Sequence, residues 1–241
     1  MFITVKLSKL LYFIVMAALV MLAILFIVIL DGTETYETDA FVEEETILII
    51  DPGHGGYDGG ATSPFSDATE SELNLYIGLK MAALAEFFGL PYVMTRDSET
   101  LDYPSEATTI AKRKIWDQKK RMELINATPN AVLMSIHQNR YSTPSPRGPQ
   151  AFFARSEGSE ILANLTQDIL NTHVSPGSKR AVRPVSNDVF IFKNISCPAV
   201  LTECGFLSNP EEAALLNTES HRLKIAMALI SAYTQFLASA A

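Results

Sequence analysis

Two histidines of this sequence each follow a run of apolar, strand-forming residues, where a side chain can do metal chemistry. His54 lies in a glycine-rich loop after the strand predicted at Ile47–Ile50, and His137 directly follows the strand predicted at Ala131–Ile136. Glu70 begins the helix that is predicted after the glycine loop. Two imidazoles and one carboxylate are a common ligand set of catalytic zinc, and they leave a fourth position for water. The pattern therefore indicates a site that could bind a metal ion and activate water.

A fourth side chain, Glu203, could supply the base that a hydrolytic metal site needs besides its ligands. Glu203 ends the apolar run Ala199–Thr202. The carboxyl ends of parallel strands meet at one edge of a sheet, so we expect Glu203 to lie near His54 and His137. Each of these residues alone has an ordinary structural explanation, such as an ion pair or a capped turn. Their convergence at one edge favours hydrolytic chemistry.

Two alternatives to this assignment are visible in the sequence. Glu72 is a second candidate ligand, but it lies about 200° round a helix from Glu70, so both cannot point at one metal ion. Glu70 is the predicted ligand. Cys204 follows Glu203, which makes a cysteine–histidine hydrolase the rival chemistry. Cys204 ends a strand and has no evident third polar partner, which disfavours that rival.

Other charged residues have less specific interpretations. Asp51 and Asp58 are both candidates for a carboxylate that orients a ligand histidine. A run of six basic residues between Lys112 and Arg121 is typical of a solvated helix face, although it could also contact anionic groups of a substrate or a membrane. Arg113 and Arg121 lie eight residues apart, so they share a helix face and are expected to brace the core side.

Composition and cysteine spacing exclude several classes of protein. The 241 residues are 48% hydrophobic, enough for one domain with a substantial core plus an appendage. The net charge of −8 argues against general nucleic-acid binding. Only Cys197 and Cys204 are present, too few for a disulfide framework. If the segment between them is extended it spans roughly 23 Å, so we expect two free thiols.

Strand and helix patterns alternate from Thr46 onward, which predicts one α/β domain with a mainly parallel central sheet flanked by helices. The predicted strands are 47–50, 92–95, 131–136, 150–155 as an edge or outer strand, 189–192 and 199–202. The predicted helices are 71–88, 107–126, 160–172 and a C-terminal helical region from about 209.

The N-terminal part of the sequence predicts a membrane anchor. Residues 11–30 are all apolar or aromatic, and as a helix they would span roughly 30 Å, the thickness of the hydrocarbon core of a bilayer. Lys6 and Lys9 precede this segment and acidic residues follow it, which favours a cytoplasmic N-terminus. A cleavable signal peptide would have a shorter apolar region and a small-residue cleavage site. We expect an uncleaved anchor at 1–30 (transmembrane helix about 10–30), an acidic linker at 31–45 and an extracytoplasmic catalytic domain at 46–241.

Three motifs give the sequence a family resemblance. DPGHGG followed by Glu70, SIH containing His137, and LTECGFLSN containing Glu203 resemble the zinc-dependent N-acetylmuramoyl-L-alanine amidases (Amidase_3 type), in the family's order. The resemblance implies that His54, Glu70 and His137 bind one Zn²⁺ and that Glu203 is the catalytic acid and base. It implies hydrolysis of the amide between N-acetylmuramic acid and L-alanine in peptidoglycan.

Within this family, the sequence is most similar to the germination-specific amidases of spore formers, in its short length, its single hydrophobic segment and the stretch KRKIWDQKKRMELIN. That similarity implies a role in forming the muramic-δ-lactam of spore cortex, in the space between mother-cell and forespore membranes. Some relatives work with an accessory lipoprotein, which makes one an expected partner. Arg96 and Asn139 are the expected substrate contacts. Two other functions stay open: a non-catalytic peptidoglycan- or protein-binding module, and a zinc peptidase that cleaves within the stem peptide.

Overall fold

The computed structural model of the chain describes residues 15–16, 18–22 and 45–240. The chain divides into two units between Glu43 and Glu44, and the second unit carries the sheet. Within the described ranges, no helix combines the length and apolarity that crossing a membrane requires. Most of the predicted anchor and of the acidic linker falls outside those ranges.

The second unit is built around a six-stranded mixed sheet with the strand order β2-β1-β3-β6-β4-β5. Strand β4 is antiparallel to β6, and the other neighbouring pairs are parallel. The predicted α/β class is confirmed, and the sheet is mainly parallel. The strands are β1 (Ile47–Pro52), β2 (Tyr92–Met94), β3 (Ala131–Asn139), β4 (Gln150–Phe153), β5 (Arg183–Pro184) and β6 (Ala199–Phe206). The helices are α1 (Glu70–Phe87), α2 (Ile110–Ala127), α3 (Ser159–Ile169, extended by a π-helical turn at Leu170–Val174), α4 (Phe190–Lys193), α5 (Pro210–Leu216) and α6 (Glu219–Ala240).

The central strands are buried on both faces, which explains their unbroken apolar sequences. Alternate residues point to opposite sides of the sheet. Leu48 and Met134 belong to the core that includes α1, α3 and α6, whereas Ile49 and Leu133 join the smaller core under α2 and α4. The sheet is therefore a middle layer whose central strands are held rigidly from both sides.

Three predicted strand ends are too early, and the first of them is that of β1, whose predicted end is Ile50 but which continues to Pro52. β3 continues through His137 to Asn139, and β6 continues through Glu203 to Phe206. His137 and Glu203 therefore lie within paired strands and are register partners of each other. The ladder continues past the apolar residues because backbone pairing does not require apolar side chains.

Two other assignments are also wrong. The strand predicted at 189–192 is the short helix α4, because a brief apolar run does not distinguish a buried strand from a buried helix. The strand predicted at 150–155 as an edge or outer strand is present as β4 but ends at Phe153, and it lies next to the edge, because the two-residue strand β5 pairs along its outer side. Sequence patterns cannot detect a strand as short as β5.

Candidate active site

A glycine-rich loop carries His54 from the end of β1 towards α1. His54 itself has a φ of 62°, a left-handed conformation that is uncommon for a residue with a side chain and is often found at functional sites. A Cβ at Gly53 would overlap the ring of His137. Gly60 also has a left-handed φ, and a Cβ there would lie 2.6 Å from Glu70 Oε2. The loop therefore needs glycine at these two positions to close around the site.

The structure brings the three predicted ligands together. Glu70 Oε1 lies 3.3 Å from His54 Nε2 and 3.0 Å from His137 Nδ1. One donor atom from each of the three residues lies within 4.8 Å of the other two, a separation at which they could hold a metal ion. Among residues 15–16, 18–22 and 45–240, this is the one group of three or more His, Cys, Asp or Glu side chains whose donor atoms lie close enough together to hold a metal ion.

The electrostatics of this group favour a cation. Burial alone would raise the pKa of Glu70, but His137 and His54 hold it well below its usual range. Burial alone would lower the pKa of His54, but Asp58 and Glu70 raise it to about 9. The same negative charges that attract a proton to His54 would attract a divalent metal ion, which must displace that proton to bind.

Glu203 lies beside this group and has a different environment. Burial raises its pKa to about 7, and the charge of Glu70 adds to this effect, while His137 and His54 oppose it. Its Oε2 is shut off from solvent and has no hydrogen-bond partner among the described residues. A carboxylate with a pKa near neutrality can both accept and return a proton, which is the property of a general base and acid.

Of the two candidate orienting carboxylates, Asp58 is the one beside a ligand. Asp58 Oδ2 lies 3.0 Å from His54 Nδ1, and the same oxygen is 3.0 Å from Lys114 Nζ. Asp51 instead is buried and pairs with Arg121 at 2.8 Å. The structure thus links the ligand His54 through Asp58 to a lysine on α2.

Two buried arginines hold the glycine loop in place. Arg121 Nη1 donates to Pro52 O at 2.7 Å, and Arg121 Nη2 donates to His54 O. Arg96 Nε donates to Pro52 O at 2.9 Å, and its Nη2 donates to the carbonyl oxygens of Gly53 and Ser71. The expectation that Arg121 braces the core is confirmed. Arg96 is a correction: its side chain is 1% exposed, so it holds the loop and is not available to a substrate.

Glu70 is held from two sides by backbone groups. Its Oε2 accepts from Ala61 N at 2.8 Å, and its Oε1 accepts from Gln138 N at 3.1 Å. The competing candidate Glu72 is engaged in a capping box with Thr69, which begins α1. This capping box turns Glu72 towards the helix terminus and leaves Glu70 in the group.

The remaining predicted residues have ordinary surroundings. Asn139 is half-buried at the end of β3. Cys204 is buried, which raises the pKa of its thiol far above neutrality and disfavours the rival cysteine chemistry. Cys197 and Cys204 are both free thiols, as predicted.

An α/β sheet that presents a His–Glu–His group next to a carboxylate of raised pKa is an arrangement suited to a hydrolase, and the group could hold a metal ion. Residues 48–235 match the family model described as Amidase_3, N-acetylmuramoyl-L-alanine amidase, and the chain belongs to this family. It is an N-acetylmuramoyl-L-alanine amidase, which confirms the predicted family and activity.

Two similarities support the predicted resemblance to germination-specific amidases. The germination-specific N-acetylmuramoyl-L-alanine amidase of Bacillus subtilis is 31% identical over 184 residues, covering 76% of this chain and 76% of that protein. The CwlD amidase of Clostridioides difficile, solved in complex with the GerS lipoprotein, is 31% identical with a TM-score of 0.77, covering 81% of this chain and 100% of that chain.

A further solved structure, an N-acetylmuramoyl-L-alanine amidase from Clostridium difficile 630, is 27% identical, with a TM-score of 0.70, and the match covers 81% of this chain and 98% of that chain.

Proposed function

We propose that this amidase is zinc-dependent, with one Zn²⁺ held by His54, Glu70 and His137, and that its substrate is the amide between N-acetylmuramic acid and L-alanine in peptidoglycan. The observation that carries the proposal is the convergence of three donor atoms within 4.8 Å. Two imidazoles and one carboxylate fit zinc, and their net charge with the ion would be +1. When bound, zinc would supply a Lewis acid that lowers the pKa of a water molecule and polarises a carbonyl group.

The protein's own residues supply the rest of the reaction. Glu203, with a pKa of about 7, accepts a proton from the attacking water and returns it to the nitrogen of the leaving L-alanine. Asp58 holds the ring of His54 from the side away from Glu70. Arg96 and Arg121 fix the carbonyl groups of the glycine loop, so that His54 keeps its strained backbone conformation.

The fragments released from purified peptidoglycan test this proposal against the two alternatives. The full chain in detergent, supplied with zinc, should release stem peptides with a free N-terminal L-alanine, identified by mass. Cleavage inside the stem would instead show a peptidase, and the absence of any zinc-dependent product would show a binding module.

A matched pair of variants tests the role of Glu203. Glu203→Gln should abolish turnover and keep stoichiometric zinc, because the amide preserves shape but cannot accept the proton. Glu211→Gln, at a carboxylate that is 72% exposed, should retain full activity. Residual turnover above one hundredth in Glu203→Gln would assign the base to another residue, since a general base contributes roughly 10²–10⁴-fold.

The finer biological role belongs to the same proposal. The apolar segment 11–30 and the basic residues before it support a single-pass protein with its catalytic domain outside the cytoplasmic membrane. The similarity to a germination-specific amidase supports formation of cortex muramic-δ-lactam, after a deacetylase acts on the amidase product. Expression in a spore former that lacks its own cortex amidase should restore the lactam, and the Glu203→Gln variant should not.

An accessory lipoprotein is also part of the proposal, supported by the GerS lipoprotein in the CwlD structure. Zinc content of the full chain purified alone provides the test. Substoichiometric zinc that rises when a lipoprotein partner is co-expressed would support a helper, and full loading of the protein alone would remove the need for one.

A further inference from the structure

One surface of the catalytic domain is apolar, exposed and far from the site. At the end of α1, Phe87 is 80% exposed and Phe88 is 59% exposed, and their rings contact each other edge to face. Beside them, Leu84, Phe88, Met227 and Ile230 line a groove between α1 and α6. Met227 is 56% exposed. We call the surface formed by Leu84, Phe87, Phe88, Met227 and Ile230 the apolar base.

The apolar base lies at the edge of the sheet opposite the proposed metal site. His54 follows the carboxyl end of β1, whereas α1 returns to the end where the strands begin, since Leu48 N donates to Pro91 O just after α1. Tyr233 of α6 donates to the carbonyl oxygen of Thr46, the residue before β1. The chain from residues 31–45 therefore enters the domain beside the apolar base.

The sequence around this edge carries little charge, although the exposed Glu86 directly precedes Phe87 and Glu45 directly precedes Thr46. Residues 87–95, which include the end of α1 and β2, contain no Asp, Glu, Lys or Arg, and neither do residues 225–240 of α6. Charge resumes at Glu86 in α1 and at Lys224 in α6, and an ion pair between Lys80 and Glu219 lies further towards the other end of both helices. A surface with little charge and two exposed phenylalanines has the composition of a protein surface that lies in the boundary between lipid headgroups and acyl chains.

We propose that the apolar base rests on the lipid bilayer that carries the proposed anchor, with Phe87 and Phe88 inserted at the headgroup boundary. This inference rests on the proposed anchoring. The attachment point at Thr46 is what selects a bilayer as the occupant, because the segment that would link the domain to the anchor joins the domain beside this surface. In this orientation the metal site faces away from the membrane, towards the cell wall.

Fluorescence quenching of the full chain in phosphatidylcholine vesicles tests this orientation. The protein has one tryptophan, Trp116, which stacks near Tyr103 on the side of the glycine loop. Phe88→Trp adds a probe at the apolar base. Lipids brominated near the top of their acyl chains should quench the added tryptophan several-fold more strongly than Trp116 in the unsubstituted protein.

A matched control places a tryptophan at the opposite edge. Phe65 is 53% exposed in the loop that follows the glycine loop, and Phe65→Trp should be quenched no more than Trp116. Equal quenching of the probes at positions 65 and 88, or none at position 88, would overturn the proposed orientation. A dimer in detergent that Phe88→Ser converts to a monomer would overturn it too, because a second copy would then cover the apolar base.

Flotation of the unsubstituted protein with the vesicles separates this inference from the proposal on which it rests. Protein that does not float refutes the anchor, and with it the proposed contact. Protein that floats, releases L-alanine-terminated stem peptides and shows no quenching at position 88 refutes the contact alone.

Discussion

The buried pair of Asp51 and Arg121 should determine how the free energy of unfolding changes in acid. Burial alone would raise the pKa of Asp51, but Arg121, Ser135 and Thr95 lower it from 3.8 to about 2. At about 1.4 kcal/mol per pKa unit, this shift stabilises the folded protein by about 2 kcal/mol. The folded pKa is lower than the unfolded one, so this contribution is complete above about pH 4 and disappears as the pH falls to about 2.

The substitution Asp51→Asn removes this contribution and leaves a buried guanidinium short of one partner. Arg121 is 3% exposed, and breaking a buried pair costs roughly 3–5 kcal/mol. Asp117 and two backbone carbonyls still accept from Arg121, so we expect a loss of about 3 kcal/mol at pH 6. At pH 2 the loss should be smaller by about 2 kcal/mol, because most of the stabilisation that comes from the lowered pKa of Asp51 has disappeared in the unsubstituted protein at that pH.

Urea unfolding of the metal-free full chain in nonionic detergent, repeated between pH 2 and pH 6, measures this difference. Glu70 and Asp58 also have lowered pKa values, but they titrate in both proteins and cancel in the comparison. Glu123→Gln, in the exposed pair of Lys120 and Glu123, is the control and should change stability by less than about 1 kcal/mol. If the loss caused by Asp51→Asn does not vary with pH, the pKa of Asp51 is not lowered in the folded protein, and the reasoning is refuted.

Three further predictions concern the proposed metal site. Gly53→Ala should abolish zinc binding, measured by metal analysis, because its Cβ would displace the ring of His137, whereas Gly59→Ala, whose Cβ would meet Thr69 at an ordinary 3.7 Å, should bind normally. Asp58→Asn should weaken zinc affinity by roughly 10–100-fold in a chelator competition, as is typical when the partner of a ligand histidine is lost, and an unchanged affinity would remove Asp58 from that role. Cys204→Ala should keep its amidase activity in the peptidoglycan assay, and a loss of activity with zinc still bound would reopen the cysteine mechanism.

The sequence predicts the parts of the site that depend on strand ends. His54, His137 and Glu203 could be placed together because His137 and Glu203 directly follow apolar runs, His54 follows one after three residues, and parallel strands present their carboxyl ends at one edge. Helix geometry shows only that Glu70 and Glu72 cannot both face one metal ion, and the preference for Glu70 rests on the family resemblance. The apolar pattern does not predict how far the backbone pairing of each strand continues, so β3 and β6 are longer than their apolar residues indicate.

The error at Arg96 shows where such reasoning stops. An arginine after a strand at the catalytic edge has the right type and position for contacting an anionic substrate. In the structure its side chain is buried and donates hydrogen bonds to four carbonyl oxygens, those of Pro52, Gly53, Ser71 and Ser98. The position of backbone carbonyl groups cannot be predicted from residue types, so the sequence does not reveal that these four oxygens bind Arg96.

The same reasoning explains why Asp58 rather than Asp51 lies beside the ligand. Both carboxylates flank His54 at similar separations, and the sequence could not rank them. The difference comes from two cations on helix α2. Arg121 pairs with Asp51, whereas Lys114, two turns earlier on the same helix, pairs with Asp58. Helix α2 therefore neutralises both carboxylates that border the glycine loop. A substitution that shifted this helix should therefore weaken both the zinc affinity and the stability of the fold in acid. Asp58→Asn should change mainly the zinc affinity, and Asp51→Asn mainly the stability and its dependence on pH.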